Sequence, residues 1–257
     1  GKAPSAEQLA SLTQDIVWMV ETTVAGQTVL APVVYLAATT RNALISGAAI
    51  VGQEVRIDVA SVTNTGGTIS GERSLAITTQ GDLTSTGGTI RGGDVSLRST
   101  EGSIVNQRGE NLGADSTYKA ATLEASGSLA ADAQRDITVR GGTVGAGDDA
   151  SLAAGGDIKF DTVVDKRSSI AITAGDVNPT ITTTATEKNV GSALTVEGNL
   201  QIKSGGDTTL AGTKADVGGN LNVDTGGDFN ILSRQDKATT RTETQSSGFG
   251  VGGGLWG

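Results

Sequence analysis

The strongest constraint in this chain is an internal period of 20 to 21 residues. The segment VEGNLQIKSGGDTTL, Val196 to Leu210, returns as VGGNLNVDTGGDFNI from Val217 to Ile231, each position displaced by 21. TGGTISG at Thr65 to Gly71 returns as TGGTIRG at Thr86 to Gly92 with the same offset. Val55, Leu75 and Val95 are spaced by 20, as are Ile57, Ile77 and Leu97, while Val62, Leu83 and Ile104 are spaced by 21. Ile137 and Val139 likewise match Ile158 and Phe160. Self-similarity at this period is the mark of a stacked repeat architecture.

Within each repeat the apolar residues come in i, i+2 pairs, such as Ile170 with Ile172 and Leu194 with Val196. That spacing predicts short strands with one buried face. Gly, Asn, Asp and Ser interrupt them every five to ten residues, which reads as turn chemistry through positive φ or local hydrogen bonds. A unit this short cannot bury its apolar face alone. Stacking each strand in parallel on its equivalent one coil later aligns like residues at ~4.8 Å and satisfies the backbone. The expected fold is therefore an all-β parallel β-helix of about nine coils between Val55 and Ile231, roughly 40 Å long. Leucine-rich repeats need a richer leucine pattern, propeller blades need ~40 residues, and the calcium-binding roll needs glycine motifs nine apart; none fits.

Composition agrees with a thin aliphatic interior. Of 257 residues 38 are glycine and only 3% are aromatic, against an ordinary glycine content of ~7%. The chain has no cysteine and no histidine, which removes disulfide, thiolate and imidazole chemistry and leaves the redox compartment undetermined. A net charge of −9 argues against nucleic acid as a partner. No apolar run approaches the ~20 residues of a membrane-spanning helix. Gly1 to Ala6 has no apolar signal segment, so a secreted chain of this kind would be a piece of something longer.

The ends depart from the period and suggest three regions: a lead-in over 1–40, repeats over 41–232 and a polar, glycine-rich tail over 233–257. Pro4, Ser5 and Gln8 precede a Leu9, Leu12, Ile16 stripe, the pattern of a short capped helix. After Asp15 the sequence turns β-like, with a turn at Ala25 to Gln27 and Pro32 inside the second run, which suggests an edge or bulge. Trp18 and Tyr35 are expected to help seal the end of the stack. Residues 161–169 and 182–191 read as loops protruding from the coil, and the tail as unstacked.

A search for catalytic or ligand-binding residues returns no site, and no catalytic, cofactor or metal residue is assigned. Asp148 and Asp149 are adjacent, but neighbours in a glycine turn do not converge on one substrate. Tyr118, Phe160 and Phe229 are the aromatics of the repeat region, the latter two in core phase. The aspartate of the recurring GGD, at Asp94, Asp157, Asp207 and Asp228, could form a calcium ladder. Two carboxylates about 5 Å apart repel by only ~1 kcal/mol in water, so no cation is required, and the preferred reading is a turn residue accepting from backbone amides. TGGTISG and TGGTIRG lack the G-x-x-x-x-G-K-[ST] of a phosphate loop and read as turns. The run ITTTATE, Ile181 to Glu187, does not recur at 20 or 21, which argues against an ordered threonine array.

LTQDIVWMVETTVAGQTVLAPVVYLA (Leu12 to Ala37), GDLTSTGGTIRGGDVSLRS (Gly81 to Ser99) and AAGGDIKF (Ala153 to Phe160) resemble the haemagglutinin-repeat region of very large two-partner-secretion exoproteins of bacteria. These are the filamentous haemagglutinin-like proteins and the CdiA-type contact-dependent growth inhibition toxins, and the likeness is to the C-terminal repeat block. The resemblance implies a right-handed coil, export by an outer-membrane partner transporter and a non-enzymatic, cofactor-free repeat region. For the toxins it further implies association with the target-cell outer membrane and help in delivering a C-terminal toxin. The alternative it leaves open is an adhesin segment binding cell surfaces.

Overall fold

Strand pairing converts the sequence offsets into stacked coils. The computed structural model describes residues 16–24, 27–35, 48–109, 120–173 and 180–244, and every element among them is a strand. The chain divides into two units, residues 1–50 and 51–257.

In the first unit, β1 (Ile16–Val24) and β2 (Gln27–Tyr35) form an antiparallel hairpin in which Pro32 lies opposite Met19. The two runs expected from the sequence are therefore strands, and Pro32 sits on an edge strand, as a proline in a sheet does; Ala25 and Gly26 lie outside the described residues. The expected helix from Pro4 lies outside the described residues, as do the side chains of Trp18 and Tyr35.

The second unit is a parallel β-helix with three faces. Its third face is the simplest. There β4 (Val62–Thr65), β6 (Leu83–Thr86), β8 (Ile104–Gln107), β11 (Ile137–Arg140), β14 (Ile158–Asp161), β19 (Thr208–Ala211) and β22 (Phe229–Leu232) pair in parallel, in that order. Seven strands mean seven coils, whose six intervals of ~4.8 Å give a rise of about 29 Å. The second face stacks the C-terminal halves of β5 (Thr68–Thr79) and β7 (Thr89–Ser99) on β10 (Leu129–Ala133), β13 (Ala150–Ala154), β18 (Leu200–Ser204) and β21 (Leu221–Thr225). The first face continues from the N-terminal halves of β5 and β7 through β9 (Thr122–Ala125), β12 (Thr143–Ala146), β17 (Ala193–Val196) and β20 (Lys214–Val217). β3 (Ala49–Val59) pairs with β5 and opens the first coil.

The register matches the period wherever the period is continuous: Leu75 pairs with Val95, Val62 with Leu83, Ile137 with Ile158 and Leu200 with Leu221. Two jumps explain why there are seven coils rather than the nine expected from length. Ile104 pairs with Ile137, 33 residues on, and Ile158 with Thr208, 50 residues on. In each case the chain leaves the end of the third face and returns to begin the next coil, so those residues add length without adding a coil. A third departure follows Leu232 from the same corner, and the three departures are two coils apart.

The second departure is not loop. Residues expected to protrude without structure form β15 (Val163–Thr173) and β16 (Thr180–Val190), an antiparallel pair. Part of the expected unstacked tail is β23 (Lys237–Thr244), which pairs with the free side of β16. Exits from coils five and seven lie two coil heights apart, so three strands at ~4.8 Å spacing fit between them. We call this three-stranded sheet the wing. Backbone pairing with a distant segment overrides the loop-like composition.

The interior is narrower than stacked Val, Ile and Leu alone would give. Leu75, Leu97, Leu129, Leu152, Ile158, Phe160, Leu194 and Leu200 are buried, but so are Ala125, Ala131, Ala146 and Ala154. Hydroxyls occupy the corner between second and third faces: Ser99 Oγ donates to Gly81 O at 2.7 Å and accepts from Gly102 N at 3.0 Å. Ser204 Oγ contacts Thr208 Oγ1 and Thr225 Oγ1, each at 2.8 Å. In the seventh coil, Leu221, Phe229, Ile231 and Leu232 are 43–73% exposed, because among the described residues no coil covers them. Phe160, in the same phase two coils earlier, is fully buried.

Candidate functional site

The residues that drew notice in the sequence are organised by the corners of the coil. Between second and third faces, Asp82 Oδ1 accepts from Ser103 N at 2.8 Å, Asp136 N donates to Ser103 Oγ at 3.3 Å, and Asp136 Oδ1 accepts from Asp157 N at 2.8 Å. The column continues from Asp207 N to Asp157 Oδ1 and from Asp228 N to Asp207 Oδ1, both at 2.7 Å. Asp82, Asp136, Asp157 and Asp207 therefore each bind the backbone amide of the equivalent residue in the following coil by a charge-assisted bond, and the Ser103 hydroxyl takes the carboxylate's place in the third coil. The aspartates do accept from amides, as the turn reading holds, but across coils rather than within a turn.

The four GGD aspartates do not form one column. Asp94 belongs to the corner between first and second faces, where its Oδ1 accepts from Ser128 N at 3.0 Å. In that corner Asp149 Oδ1 accepts from both Asn199 N and Asn199 Nδ2, at 2.7 and 3.0 Å, and Asn199 Oδ1 from Asn220 N at 3.0 Å. Both Asp148 and Asp149 are exposed, and Asp149 has a structural partner in Asn199. Among the described residues, no group of three His, Cys, Asp or Glu side chains is placed to hold a metal ion.

Glycine has a steric role here that turn chemistry did not reveal. A Cβ on Gly205 would lie 2.1 Å from Gly155 O, and one on Gly206 would lie 2.1 Å from Asp157 Oδ1. In the GGD segments ending at Asp157, Asp207 and Asp228 the first glycine clears the preceding coil's carbonyl, the second clears its carboxylate, and the aspartate's amide takes that carboxylate. Positive φ is confined, among the described residues, to Gly66, Gly87, Gly141 and Gly212. The first two lie in the TGGT segments, which are turns leading into β5 and β7.

Two of the concave regions among the described residues have the size of ligand sites. A groove of about 670 Å³ runs along the start of the second face, lined by Asp94, Ser128, Asp149, Asn199 and Asn220 with their outward neighbours Ser96, Ser151 and Gln201. It carries amide, hydroxyl and carboxylate groups and no cation. The second, of about 820 Å³, lies at the root of the wing. The wing is tied there by Asp161, at the end of β14, which accepts from Arg234 Nε and Nη2 at 3.1 and 3.3 Å and from Thr162 N at 2.8 Å. Lys159 Nζ lies 3.2 Å from the same carboxylate. Burial pushes this carboxyl up, but the Arg234 guanidinium, the Thr162 amide and Lys159 outweigh it and hold the group below its ordinary range. Asn189 joins the other side of the root, donating from its backbone to Asp236 Oδ1 at 2.7 Å and from Nδ2 to Gln235 O at 2.8 Å.

The threonine run is in β16. Thr182, Thr184 and Thr186 share one face with Thr240 and Thr242 of β23 and Ser169 of β15. Hydroxyls thus recur across wing strands, contributed by segments the 20/21 period does not connect. Phe160 is core and Phe229 lies on the last coil, so neither forms a sugar-stacking platform within either concavity. Tyr118 lies outside the described residues.

Comparison with known proteins places these features in context. The family model described as hemagglutinin repeat matches residues 99–176 and 178–255, with the junction falling between the end of β15 and the start of β16 in the sequence. The chain is 42% identical over 80 residues to a protein named tRNA nuclease CdiA from Yersinia mollaretii. It is 37% identical over 84 residues to Deoxyribonuclease CdiA from Dickeya dadantii and 40% identical over 84 residues to Toxin CdiA from Yersinia pestis. These matches cover 31–32% of this chain and 2–3% of the relatives, so the chain spans only a small fraction of their length. No solved structure matches the chain significantly.

Proposed function

This chain belongs to the hemagglutinin-repeat family, and from that premise we propose that it is a non-enzymatic β-helical module of a large secreted contact-dependent growth inhibition effector. In this reading the parent chain is exported by an outer-membrane two-partner-secretion transporter. The module associates with the outer membrane of the target cell and helps deliver a toxin carried at the C-terminal end. The nuclease activities named for the relatives then belong to that toxin and not to these coils.

The observation that carries the reading is the coincidence of the two family repeats with the coil-and-wing architecture, together with likeness to CdiA proteins specifically. Hydrogen-bonded amide columns and a closed aliphatic interior make a rod suited to transmitting position along a chain. In-frame removal of residues 51–244 from the parent protein tests the role. Target-cell attachment should persist while killing is lost; unchanged killing would refute delivery.

A second reading, an adhesin segment of a filamentous haemagglutinin-like protein, draws support from the second-face groove, whose hydroxyl and amide lining can hydrogen-bond a sugar chain. Binding of the purified chain to bacterial or host cells, competed by soluble glycans and without any requirement for a toxin, would favour it.

A further inference from the structure

The cleft at the wing root makes two chemical demands that one ligand class meets. Strand pairing sets Asp165 opposite Lys188 and Arg167 opposite Thr186, so these four side chains share a face of the wing. All four line the cleft, and Arg108, just past the end of β8, lines it from the coil side. Arg108 Nη2 lies 3.6 Å from Asp165 Oδ2, with both side chains largely buried at 14% and 11% exposure. Asp165 Oδ1 is buried and makes no hydrogen bond. A carboxylate oxygen left in that state is a standing acceptor for a donor the protein does not supply.

Arg167 and Lys188 are exposed and take part in none of the ion pairs among the described residues. Of the other charges lining the cleft, Glu187 pairs with Lys166 at 3.2 Å, Asp236 Oδ1 accepts from Asn189, and Lys237, opposite Glu187 on β23, is a third exposed cation outside those ion pairs. In a chain of net charge −9 this root is a local positive site, with Arg167, Lys188 and Lys237 outside the ion pairs of the described residues and beside one acceptor-only group. The cations call for an anion with several oxygens, and the carboxylate calls for a hydroxyl or similar donor. A volume of about 820 Å³ lies in the range of small-molecule sites. Asp165 Oδ1 has almost no accessible surface, so a donor reaches it only as the Arg108–Asp165 pair shifts to admit it, a movement small enough for a sugar hydroxyl and too small for a packed protein surface.

We propose that the wing-root cleft binds a phosphorylated sugar, its phosphate held by Arg167 and Lys188 and a ring hydroxyl donating to Asp165 Oδ1. The assignment goes beyond the delivery role and stands without it. Its source is either a soluble sugar phosphate or the headgroup of a phosphorylated glycolipid. The test titrates the full chain with glucose 6-phosphate, inorganic phosphate and glucose by calorimetry, and repeats this with the Arg167→Gln/Lys188→Gln double variant. Both substitutions are on exposed side chains, and an unchanged melting temperature confirms that the fold is kept.

Glucose 6-phosphate should bind saturably and roughly tenfold or more tightly than inorganic phosphate, and the double variant should weaken it by roughly tenfold or more. Cosedimentation with phosphatidylcholine vesicles carrying lipid A, displaced by glucose 6-phosphate, identifies the headgroup source. Saturable binding of glucose 6-phosphate without cosedimentation identifies the soluble one. No saturable binding, or equal affinity of wild type and double variant, overturns the site, and equal affinity for inorganic phosphate overturns the sugar.

Discussion

Alanine at Gly205 separates two explanations of the glycine-rich corners. Gly205 is not among the positive-φ glycines, so conformational freedom alone predicts a gain: Gly→Ala at a compatible backbone stabilises by about 0.4–1 kcal/mol through the unfolded chain. The structure predicts the opposite. The new Cβ would stand 2.1 Å from Gly155 O and 3.0 Å from Gly155 C, so the coils must part locally by roughly 1 Å to restore contact distance. That displacement stretches three bonds now at 3.0, 2.9 and 2.7 Å, from Gly205 N to Ala154 O, Gly206 N to Gly156 O and Asp207 N to Asp157 Oδ1. At about 1 kcal/mol each, their loss costs about 3 kcal/mol. Gly145→Ala is the matched control, because its Cβ meets nothing nearer than Glu124 Cγ at 3.8 Å, and it should be neutral or stabilising by the unfolded-state amount. Urea denaturation followed by circular dichroism measures both. A Gly205→Ala variant as stable as wild type would refute close coil approach as the reason for glycine.

Four further outcomes follow from the same geometry. Leu152→Ala empties a site 1% exposed, stacked between Ala131 and Ile202, and should cost about 3–5 kcal/mol in denaturant unfolding, since alanine beside it has no side chain to fill the void. Asp157→Ala removes the acceptor for Asp207 N and should cost about 1–2 kcal/mol, whereas Asp157→Asn keeps a carbonyl there, as Asn199 does in the other column, and should stay within about 0.5 kcal/mol. Thermal melts of wild type with calcium and with a chelator should superimpose; a calcium-dependent rise would mean that the columns bind metal. Because the Asp161 carboxyl is held below its ordinary range, its contribution is complete above the unfolded-state value near 4 and is lost as pH falls below it through the folded value. Protection factors across 234–244, corrected for the intrinsic pH dependence of amide exchange, should therefore fall on acidification below about pH 4, and Arg234→Gln should lower them already at neutral pH.

Much of the coil could be read from the chain because a parallel stack superimposes each residue on its equivalent. Leu75 over Val95, Ile137 over Ile158 and Leu200 over Leu221 are legible as offsets, and the register follows once they are seen. The wing escaped notice for a related reason. Thr180 pairs with Thr244 and Glu187 with Lys237, at separations that match no period, and the i, i+2 pair Ile170 and Ile172, which reads as part of a coil, is 68% exposed in β15. The wing-root cleft was hidden in the same way: Arg108 and Asp165 carry no motif, and only the shared exit corner of the third face brings them together. The glycine corners were partly read, since their recurrence marked turns while the carbonyl each one clears was invisible.

The sequence by itself determined that this chain is a parallel coil of short strands with an aliphatic interior, because period and i, i+2 apolarity leave the backbone one economical way to pair. Tertiary structure alone decided how many coils there are, which aspartates share a column and where the chain departs to build the wing. Those depend on contacts between segments of unrelated sequence, whose partners are selected by height along the stack and not by any pattern the segments carry.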